Sequence, residues 1–346
     1  MKYAPIFIPT LDRYEKLKNC LGSLSRNTGA ENTEVFISLD YPPAEKYVEG
    51  HAKIKEYLAT IDELGFKKCH VFYQDKNLGP ILNRDFLYDK VRQSFDTYIF
   101  TEDDNEFSPC FLDYVNKGLE RFKDDPDVLY IFGYRSDVKD DRINNVEEAY
   151  YHAPWGFGAW IYKEKEFEKQ ITRENFRRLV KNGEVCQRLY KYAPFDYRCL
   201  FEAAMTKKKD VNGPYSGYLR KDGDLAFIDH TVSPAMFANE LYGIAPMRSL
   251  VRNMGVEDGS GAHTYTWTDF DHSKQQISEE ETFEFKITEP LRGYKKIYEG
   301  DVAGEYPAAK RARFLRQIYL IFGLTVTRSI MKLSYDISKR LAERRS

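Results

Sequence analysis

Cysteine is scarce in this 346-residue sequence, and the five Cys stand singly without any CxxC pair. An odd number of isolated cysteines argues against both a disulfide framework and a Cys-ligated zinc site. We therefore expect reduced thiols and a cytoplasmic protein.

Long apolar runs are also missing. No stretch of about 18 uncharged apolar residues occurs, so the sequence predicts no ordinary membrane span. The N-terminal apolar segment carries a single Lys and is interrupted by Pro5 and Pro9. It is too short and too interrupted for a signal peptide, so we expect none.

Aromatic and charged side chains are abundant but unevenly distributed. Tyr and Phe number 26 and 23, and such rings can line clefts for carbohydrates or nucleobases. The formal net charge is only -2, although residues 310–346 hold ten Lys or Arg against two acidic residues. The sequence therefore predicts an acidic body followed by a basic tail.

The first half of the chain alternates short apolar runs with helical patterns. This alternation predicts parallel βαβ units, and hence an α/β fold with helices packed on a mostly parallel sheet. The predicted strands are residues 3–8, 34–39, 70–73, 98–100 and 128–132. The predicted helices are residues 14–26, 44–64, 81–95 and 109–123.

Polar side chains follow four of these strands at their carboxyl ends. They are Asp12 with Arg13, then Asp40, Asn77, and the Glu-Asp-Asp triplet at 102–104. Because the carboxyl ends of parallel strands meet at one edge of a sheet, we expect these residues to form one site. Three adjacent carboxylates repel one another, so they need a nearby cation or full solvation. The alternative is a solvated acidic turn that caps the next helix.

Further motifs follow the triplet in a fixed order. They are PWGFGAW at 154–160, FDY at 195–197 and NMGVEDGSGAH at 253–263. Together with the PTLDR turn at 9–13, this order resembles GT-A fold nucleotide-sugar glycosyltransferases across residues 3–265. The sequence is most similar to the family of N-acetylglucosaminyltransferase I and to bacterial polysaccharide enzymes of the glycosyltransferase family 2 type.

The resemblance implies a Rossmann-like GT-A fold and a metal-dependent, inverting glycosyltransferase. Such an enzyme moves a sugar from a nucleotide donor, here a UDP-sugar, to a hydroxyl of a surface glycan such as capsule, lipopolysaccharide or exopolysaccharide. The implied partners are the donor and a glycan or lipid-linked glycan acceptor, with no nucleic acid. The implied cofactor is Mn²⁺ or Mg²⁺, since carboxylate and phosphate oxygens suit a hard cation.

The resemblance also assigns roles to individual residues. The implied general base is Asp196, and the implied metal ligands are Asp104 and His263. The segment from Asn253 to Gly259 is expected to order over bound donor. Trp155, Gly156, Phe157 and Gly158 are implied to contact the donor or acceptor sugar. The implied nucleotide and donor contacts are Pro9, Thr10, Asp12, Arg13, Asp40, Asn77, Asn83, Glu102 and Asp103.

Structural interpretations of the same residues remain open. Thr10, Asp12 or Asp196 can be helix N-caps, and Asp40 can be a turn residue before two prolines. His263 can be structural, and the aromatic segment 154–160 can belong to the core. Two other functions also remain open, a nucleotidyltransferase of sugar-nucleotide metabolism and a non-catalytic carbohydrate-binding protein on the same fold.

The chain is expected to divide into three parts. Residues 1–135 form the nucleotide-sugar-binding half, residues 136–305 the acceptor-binding and catalytic half, and residues 306–346 a basic amphipathic helical tail. Such a tail suits an anionic membrane surface, which would place the protein at the inner face of the cell membrane. The alternative is a helix docked on the catalytic domain or on a partner subunit.

Overall fold

The computed structural model describes residues 3–135, 144–255, 272–287 and 306–343. Within these residues the chain forms two compact units. The first unit draws on Met1–Ala149, Ala153–Lys165 and Tyr242–Gly293, and the second on the segments between and after them. Residues 242–246 return to the sheet of the first unit. The expected division at residues 135 and 305 stays a prediction.

The first unit contains every strand of the described residues. In chain order these are β1 (Ile6–Thr10), β2 (Glu34–Leu39), β3 (Lys68–Tyr73), β4 (Thr97–Phe100), β5 (Asn105–Phe107), β6 (Val128–Phe132), β7 (Asn145–Ala149), β8 (Phe157–Trp160), β9 (Tyr242–Pro246), β10 (Val251–Asn253) and β11 (Lys286–Ile287).

Nine of these strands form one sheet in the order β11-β7-β9-β6-β8-β4-β1-β2-β3. The four strands β4, β1, β2 and β3 run parallel to their neighbours within that group. Strand β8 lies antiparallel between β4 and β6. The remaining strands, β5 and β10, pair antiparallel with each other in a separate ribbon. The predicted α/β fold with a large sheet is therefore confirmed, with a mixed sheet.

Helices connect the strands of the first unit and make up most of the second. They are α1 (Tyr14–Ser25), α2 (Val48–Leu58), α3 (Gly79–Val91), α4 (Phe111–Arg121), α5 (Ile161–Glu168), α6 (Arg173–Lys181), α7 (Gly183–Tyr192), α8 (Pro194–Met205), α9 (Asp229–Ala238) and α10 (Tyr306–Glu343).

Two sequence predictions need correction at the ends of these elements. The single helix predicted for residues 44–64 is α2 flanked by short 3₁₀ turns, and the second turn ends at Gly65, which has φ 77°. A left-handed residue of this kind stops a helix. Strand β1 continues through Pro9 and Thr10, where a turn was predicted. Proline is tolerated there because β4 ends beside Phe7, which leaves that side of β1 unpaired.

The tail forms the long helix α10, which is interrupted at Gly323 (φ 75°). In the second unit its inner face is buried, and α10 packs along α8. Arg328 of this helix donates to both carboxylate oxygens of Asp210, at 2.7 and 2.9 Å. The alternative interpretation of the tail, a helix docked on the protein, is thus the observed arrangement. The buried residues are Ala309, Ala312, Leu315, Tyr319, Thr327 and Met331.

The outward side of α10 is also rich in apolar side chains. Phe314, Ile321 and Phe322 are 65%, 72% and 62% exposed, and Leu333 is 62% exposed. Both sides of the helix therefore carry apolar residues. In the part of the chain that the structure describes, no helix combines the length and apolar character needed to cross a bilayer.

Glu164 is a buried carboxyl group in the core of the first unit, and it makes stability dependent on pH. Tyr98 donates to its Oε1 at 2.5 Å and Tyr130 at 3.3 Å. Burial raises the pKa of Glu164, so the folded protein holds this proton at pH values where the unfolded chain has lost it. This contribution to stability is present below the unfolded pKa and is lost as pH rises through the folded pKa.

We therefore expect Glu164→Gln to gain stability relative to the parent protein as pH rises from 5 to 8. Gln keeps an acceptor oxygen for Tyr98 and does not ionise. The gain should reach about 1.4 kcal/mol for each unit by which the pKa is raised. Urea unfolding of both proteins across this pH range measures it, and a difference that stays constant with pH would contradict a raised pKa.

Candidate functional site

The carboxyl ends of β1, β2 and β4 lie at one edge of the sheet. These three strands are parallel, and β1 lies between the other two. Asp12 and Arg13 follow β1, Asp40 follows β2, and the acidic triplet follows β4. This topology places the ends of the three strands at one edge, and hydrogen bonds bring Thr10 and Arg13 to the aspartates. That Asp12, Asp40 and Asn77 join them in one site stays a prediction.

Asp103 and Asp104 form the centre of the site, and both are almost fully buried. Thr10 Oγ1 donates to Asp103 Oδ2 at 2.6 Å. The Arg13 guanidinium bridges the two carboxylates, donating from Nη2 to Asp103 Oδ1 and from Nη1 to Asp104 Oδ2, the latter at 2.6 Å. The two aspartates after β4 are thus tied to the end of β1 by three charge-assisted or hydroxyl hydrogen bonds.

The ribbon of β5 and β10 supplies the other side of the site. Asn253, the last residue of β10, donates from Nδ2 to Asp104 Oδ1 at 2.9 Å. The amide of Met254 donates to the carbonyl of Asp104 at 2.8 Å, and the amide of Gly255 donates to Asn253 Oδ1 at 3.0 Å. Residues 253–255, expected from the sequence to begin a loop over the donor, therefore hold Asp104 directly. The rest of that segment, 256–259, lies outside the described residues.

Burial and neighbouring charges shift the pKa values of Asp103 and Arg13. Burial raises the pKa of Asp103, and the adjacent Asp104 raises it further, although Arg13 acts in the opposite direction. Burial alone lowers the pKa of Arg13, but Asp103, Asp104 and Glu102 outweigh it and raise the pKa. The Arg13 guanidinium thus interacts with three carboxylates. A cation beside the two aspartates would also favour their charged forms.

The donor set of the site fits a hard divalent cation. Each carboxylate oxygen of Asp103 and Asp104 accepts one hydrogen bond, which leaves a second lone pair on each oxygen. Oxygen ligands of this kind suit Mn²⁺ and Mg²⁺, which often bind through one or two carboxylates together with substrate phosphates. Among all the residues that the structure describes, no group of three or more His, Cys, Asp or Glu side chains is placed to hold a metal ion. The predicted second ligand, His263, lies outside the described residues.

Glu106, two residues after Asp104, forms an ion pair with an arginine. Its Oε2 accepts a hydrogen bond from Nε of Arg252 at 2.8 Å and lies 2.7 Å from Nη2 of the same guanidinium. These two residues face each other across the β5–β10 ribbon. Glu106 therefore stabilises the ribbon that carries Asn253.

Gly255 allows the backbone to lie against Asp104. A Cβ added at Gly255 would stand 2.2 Å from Asp104 Oδ2, so a side chain there must displace the carboxylate. We expect Gly255→Ala to fold normally but to lower turnover roughly a hundredfold, the cost of about 1 Å of misplacement in an active site.

Steady-state turnover and thermal unfolding together test this expectation. Gly22→Ala in α1 is the matched control, because its added Cβ meets only an ordinary contact, 3.6 Å from Arg26. Equal activity of the two variants would show that the position of Asp104 is not critical.

Asp40 fixes the loop before α3. Its carboxylate accepts from the backbone amides of Tyr41, Leu78 and Gly79, and from Asn77 Nδ2 at 3.1 Å. Asn77 also donates to the carbonyl of Tyr41 at 2.7 Å. Both predicted donor-binding residues thus connect the end of β2 to the start of α3. Their contact with a nucleotide base stays a prediction.

Asn83 lies beneath this loop and is almost fully buried. Its amide donates to the carbonyl of Ser38 at 3.1 Å, and its Oδ1 accepts from the Ser38 hydroxyl at 2.5 Å. Gln74 donates to the same hydroxyl at 2.8 Å. Asn83 therefore positions β2, and its predicted donor contact remains untested.

Asp12 follows β1, directly before Arg13, and is partly exposed. Burial raises its pKa, although Arg13 acts in the opposite direction. The N-cap residue of α1 is Arg13, and no side chain caps this helix. The interpretation of Thr10 or Asp12 as a helix N-cap is therefore wrong, because Thr10 is directed to Asp103 instead.

The aromatic segment contributes more to the core than to a surface. Phe157 and Gly158 lie in β8, and Phe157 packs against the rings of Phe100 and Tyr130. A Cβ at Gly158 would meet Val115 at 2.4 Å, so this position is filled by α4. The core interpretation therefore accounts for the packing of both residues, and their contact with a sugar stays a prediction.

Gly156 and Trp155 precede that strand. Gly156 has φ 73°, a conformation that favours glycine, and a Cβ there would stand 2.9 Å from Phe107. Trp155 is partly exposed and packs edge-on against Tyr134, with ring centroids 4.6 Å apart. A sugar contact of Trp155 stays a prediction.

Asp196 belongs to the second unit. It occupies the first turn of α8 and is 1% exposed. The N-cap of α8 is Ala193, without a side-chain cap, so the interpretation of Asp196 as an N-cap is wrong. An acidic residue in a first turn is still favoured by the helix dipole. Its role as general base is a prediction that the geometry of this unit alone does not test.

The sheet, the parallel strand ends and the paired aspartates beyond β4 define an α/β protein of the GT-A class, the nucleotide-sugar glycosyltransferases. A family model for glycosyl transferase family 2 matches residues 6–188, about half of the chain. The chain belongs to glycosyl transferase family 2. No curated protein sequence matches it significantly.

The chain also matches solved structures of TarS from S. aureus and of a mannosyltransferase from Pyrobaculum calidifontis. TarS from S. aureus is 14% identical, with a TM-score of 0.33 over 48% of this chain and 30% of that chain. Its 1–349 fragment in complex with UDP-GlcNAc is 14% identical, with a TM-score of 0.32 over 49% and 48%. The mannosyltransferase PcManGT from Pyrobaculum calidifontis, in complex with GDP-Man and Mn²⁺, is 10% identical, with a TM-score of 0.35 over 69% of each chain. The chain thus matches half or less of the length of these TarS structures.

Proposed function

We propose that this protein is a metal-dependent, inverting glycosyltransferase that moves a sugar from a UDP-sugar to a hydroxyl of a surface glycan. The observation that carries this proposal is the pair Asp103 and Asp104, held by Thr10, Arg13 and Asn253 at the edge where β1, β2 and β4 end. Family membership supplies the reaction class. The uridine nucleotide and the inverting course rest on the resemblance of the motifs.

The donor would lie across this edge. Its diphosphate would face Asp104 and the Arg13 guanidinium. The guanidinium can exchange a carboxylate for a phosphate because its planar fork of N–H donors binds either group through two oxygens. The loop that Asp40 fixes, residues 77–79, would border the base. Glu102 and Asp103 would contact the nucleotide sugar.

A divalent cation held by Asp104 would neutralise the negative charge that develops on the leaving nucleoside diphosphate. Asp104 is suited to this because Asn253 and the amide of Met254 fix its orientation before any ligand arrives. Arg13 balances part of the charge of the two aspartates and keeps them together. The site thus has the preorganisation that electrostatic catalysis requires.

Asp196 would remove the proton of the attacking acceptor hydroxyl. In a single displacement with inversion, the base acts on the acceptor while the diphosphate departs from the opposite face of the anomeric carbon. In this mechanism Asp104 would act in donor binding, and Asp196 would act in turnover.

The acceptor would be a glycan or lipid-linked glycan at the cytoplasmic face of a bacterial membrane. The basic composition of the tail and the exposed side chains Phe314, Ile321, Phe322 and Leu333 support a peripheral contact with anionic lipid. Such a contact would bring the enzyme to a lipid-linked substrate.

A thermal-shift screen of nucleotide sugars with and without Mn²⁺ tests the proposed function. A ligand that binds only the native state raises the unfolding temperature, by mass action. We expect stabilisation by UDP-sugars that needs Mn²⁺ or Mg²⁺. Stabilisation by nucleoside triphosphates alone would instead favour a nucleotidyltransferase.

A further inference from the structure

The second unit contains a cavity that the proposed reaction does not use. It has a volume of about 470 Å³ and lies between α7, α8 and the first part of α10. Tyr190, Tyr197 and Gly183 are among the residues that line it. This volume is within the range of small-molecule sites, roughly 300–1,000 Å³.

Three cationic side chains line this cavity, and no carboxylate does. They are Lys191 of α7 and Arg313 and Arg316 of α10. Among the residues that the structure describes, no carboxylate lies within ion-pair distance of any of the three, whereas Arg328 further along α10 pairs with Asp210. The cavity therefore concentrates positive charge with no counter-ion among the described residues, which favours an anionic ligand.

The two arginines are held in place by other contacts. Arg313 stacks over the ring of Tyr190, with its guanidinium carbon 4.6 Å from the ring centroid. Arg316 donates from Nε to the carbonyl of Val180 at 2.7 Å. Each thus retains guanidinium N–H donors that are not used in these contacts, and preorganised arginines bind phosphate well because their donors match its oxygens.

We propose that this cavity binds the phosphate group of an anionic lipid headgroup. A bare phosphate would leave most of the volume unfilled, whereas a phosphate esterified to glycerol or to a sugar would also contact Tyr190 and Tyr197. Phe314, next to Arg313 in the sequence, is 65% exposed, and Ile321 is 72% exposed on the outward side of α10. These apolar side chains can insert between the lipid acyl chains. The proposal rests on the membrane contact in the proposed function, not on its catalytic chemistry.

Sedimentation of the full chain with phosphatidylcholine vesicles, with and without phosphatidylglycerol, tests the proposal through two variants. Arg313→Gln removes an exposed cation of the cavity. Gly183→Leu adds bulk where a Cβ meets open space and leaves the charge unchanged. We expect each to weaken binding to the anionic vesicles roughly tenfold or more, since a charge-assisted hydrogen bond is lost or blocked.

Matched controls separate the cavity from general surface attraction. Arg311→Gln removes an exposed cation of α10 outside the cavity, and should weaken binding about fivefold at most. Gly217→Leu also adds bulk into open space, away from the cavity, and should have no effect. Equal losses in Arg311→Gln and Arg313→Gln, with Gly183→Leu unchanged, would overturn the proposal in favour of diffuse attraction.

Soluble phosphate provides the remaining comparison. Thermal unfolding with glycerol phosphate, in the same variants, shows whether the cavity binds the headgroup without a membrane. Stabilisation by glycerol phosphate without any vesicle binding would assign the cavity to a soluble phosphoester and overturn the lipid source. A protein that transfers sugar normally but binds neither probe would reject this proposal alone and leave the catalytic one intact.

Discussion

Asp104→Asn is expected to abolish sugar transfer and metal-dependent donor binding while the protein remains folded. The substitution keeps the size of the side chain and a carbonyl oxygen, but it removes the charge that pairs with Arg13 and that would hold a cation. Losing a preorganised electrostatic contact of this kind lowers turnover by about a hundredfold to a thousandfold. Because the substitution also removes the charged ligand of the cation, we expect the loss to exceed that range, so that no transfer is detected.

Calorimetric titration of the donor in the presence of Mn²⁺, together with turnover, measures this effect. Glu106→Gln is the matched control, because it removes a carboxylate two residues away whose partner is Arg252 in the ribbon. We expect that control to bind donor as the parent protein does. Donor binding that survives in Asp104→Asn would remove Asp104 from the proposed site.

Asp196→Asn is expected to bind the donor normally and to turn over roughly a hundredfold to ten-thousandfold more slowly, the range for loss of a general base. Asn is close in size to Asp, which suits a position that is 1% exposed. The predicted split, with donor affinity unchanged and turnover lost, distinguishes a base from a residue that only supports the fold.

Glu202→Gln provides the comparison on the same helix, since Glu202 accepts from the Tyr218 hydroxyl at 2.8 Å without a proposed catalytic role. Thermal unfolding of both variants shows whether either loses structure. Full activity of a folded Asp196→Asn protein would exclude it as the base, and a common loss of stability would point to packing in α8.

Sequence reasoning located the parallel part of the fold well. Strands β2 and β6 lie where they were predicted, because strands buried on both faces are continuous apolar runs. The positions of Asp12, Asp40 and the acidic triplet beyond strand ends then follow from topology alone. The antiparallel strand β8 was not predicted, since its Gly and aromatic residues also fit a ligand-binding segment.

The hydrogen bonds between residues far apart in the chain could not be predicted from the sequence. Thr10 and Asp103 are 93 residues apart, and Asn253 and Asp104 are 149 apart, yet each pair is joined by a hydrogen bond. Strands β5 and β10, which bring the second pair together, have three residues each. Elements this short carry almost no periodic signal. The sequence feature that pointed to this region was Asn-Met-Gly at 253–255, which begins the motif at 253–263.

The most direct test of the account is release of nucleoside diphosphate from a panel of nucleotide sugars, with Mn²⁺ and an acceptor glycan. We predict release from a UDP-sugar by the parent protein, and none by Asp104→Asn under the same conditions. No release from any donor, or equal release by both proteins, would contradict the claim that the paired aspartates beyond β4 hold a sugar nucleotide for transfer.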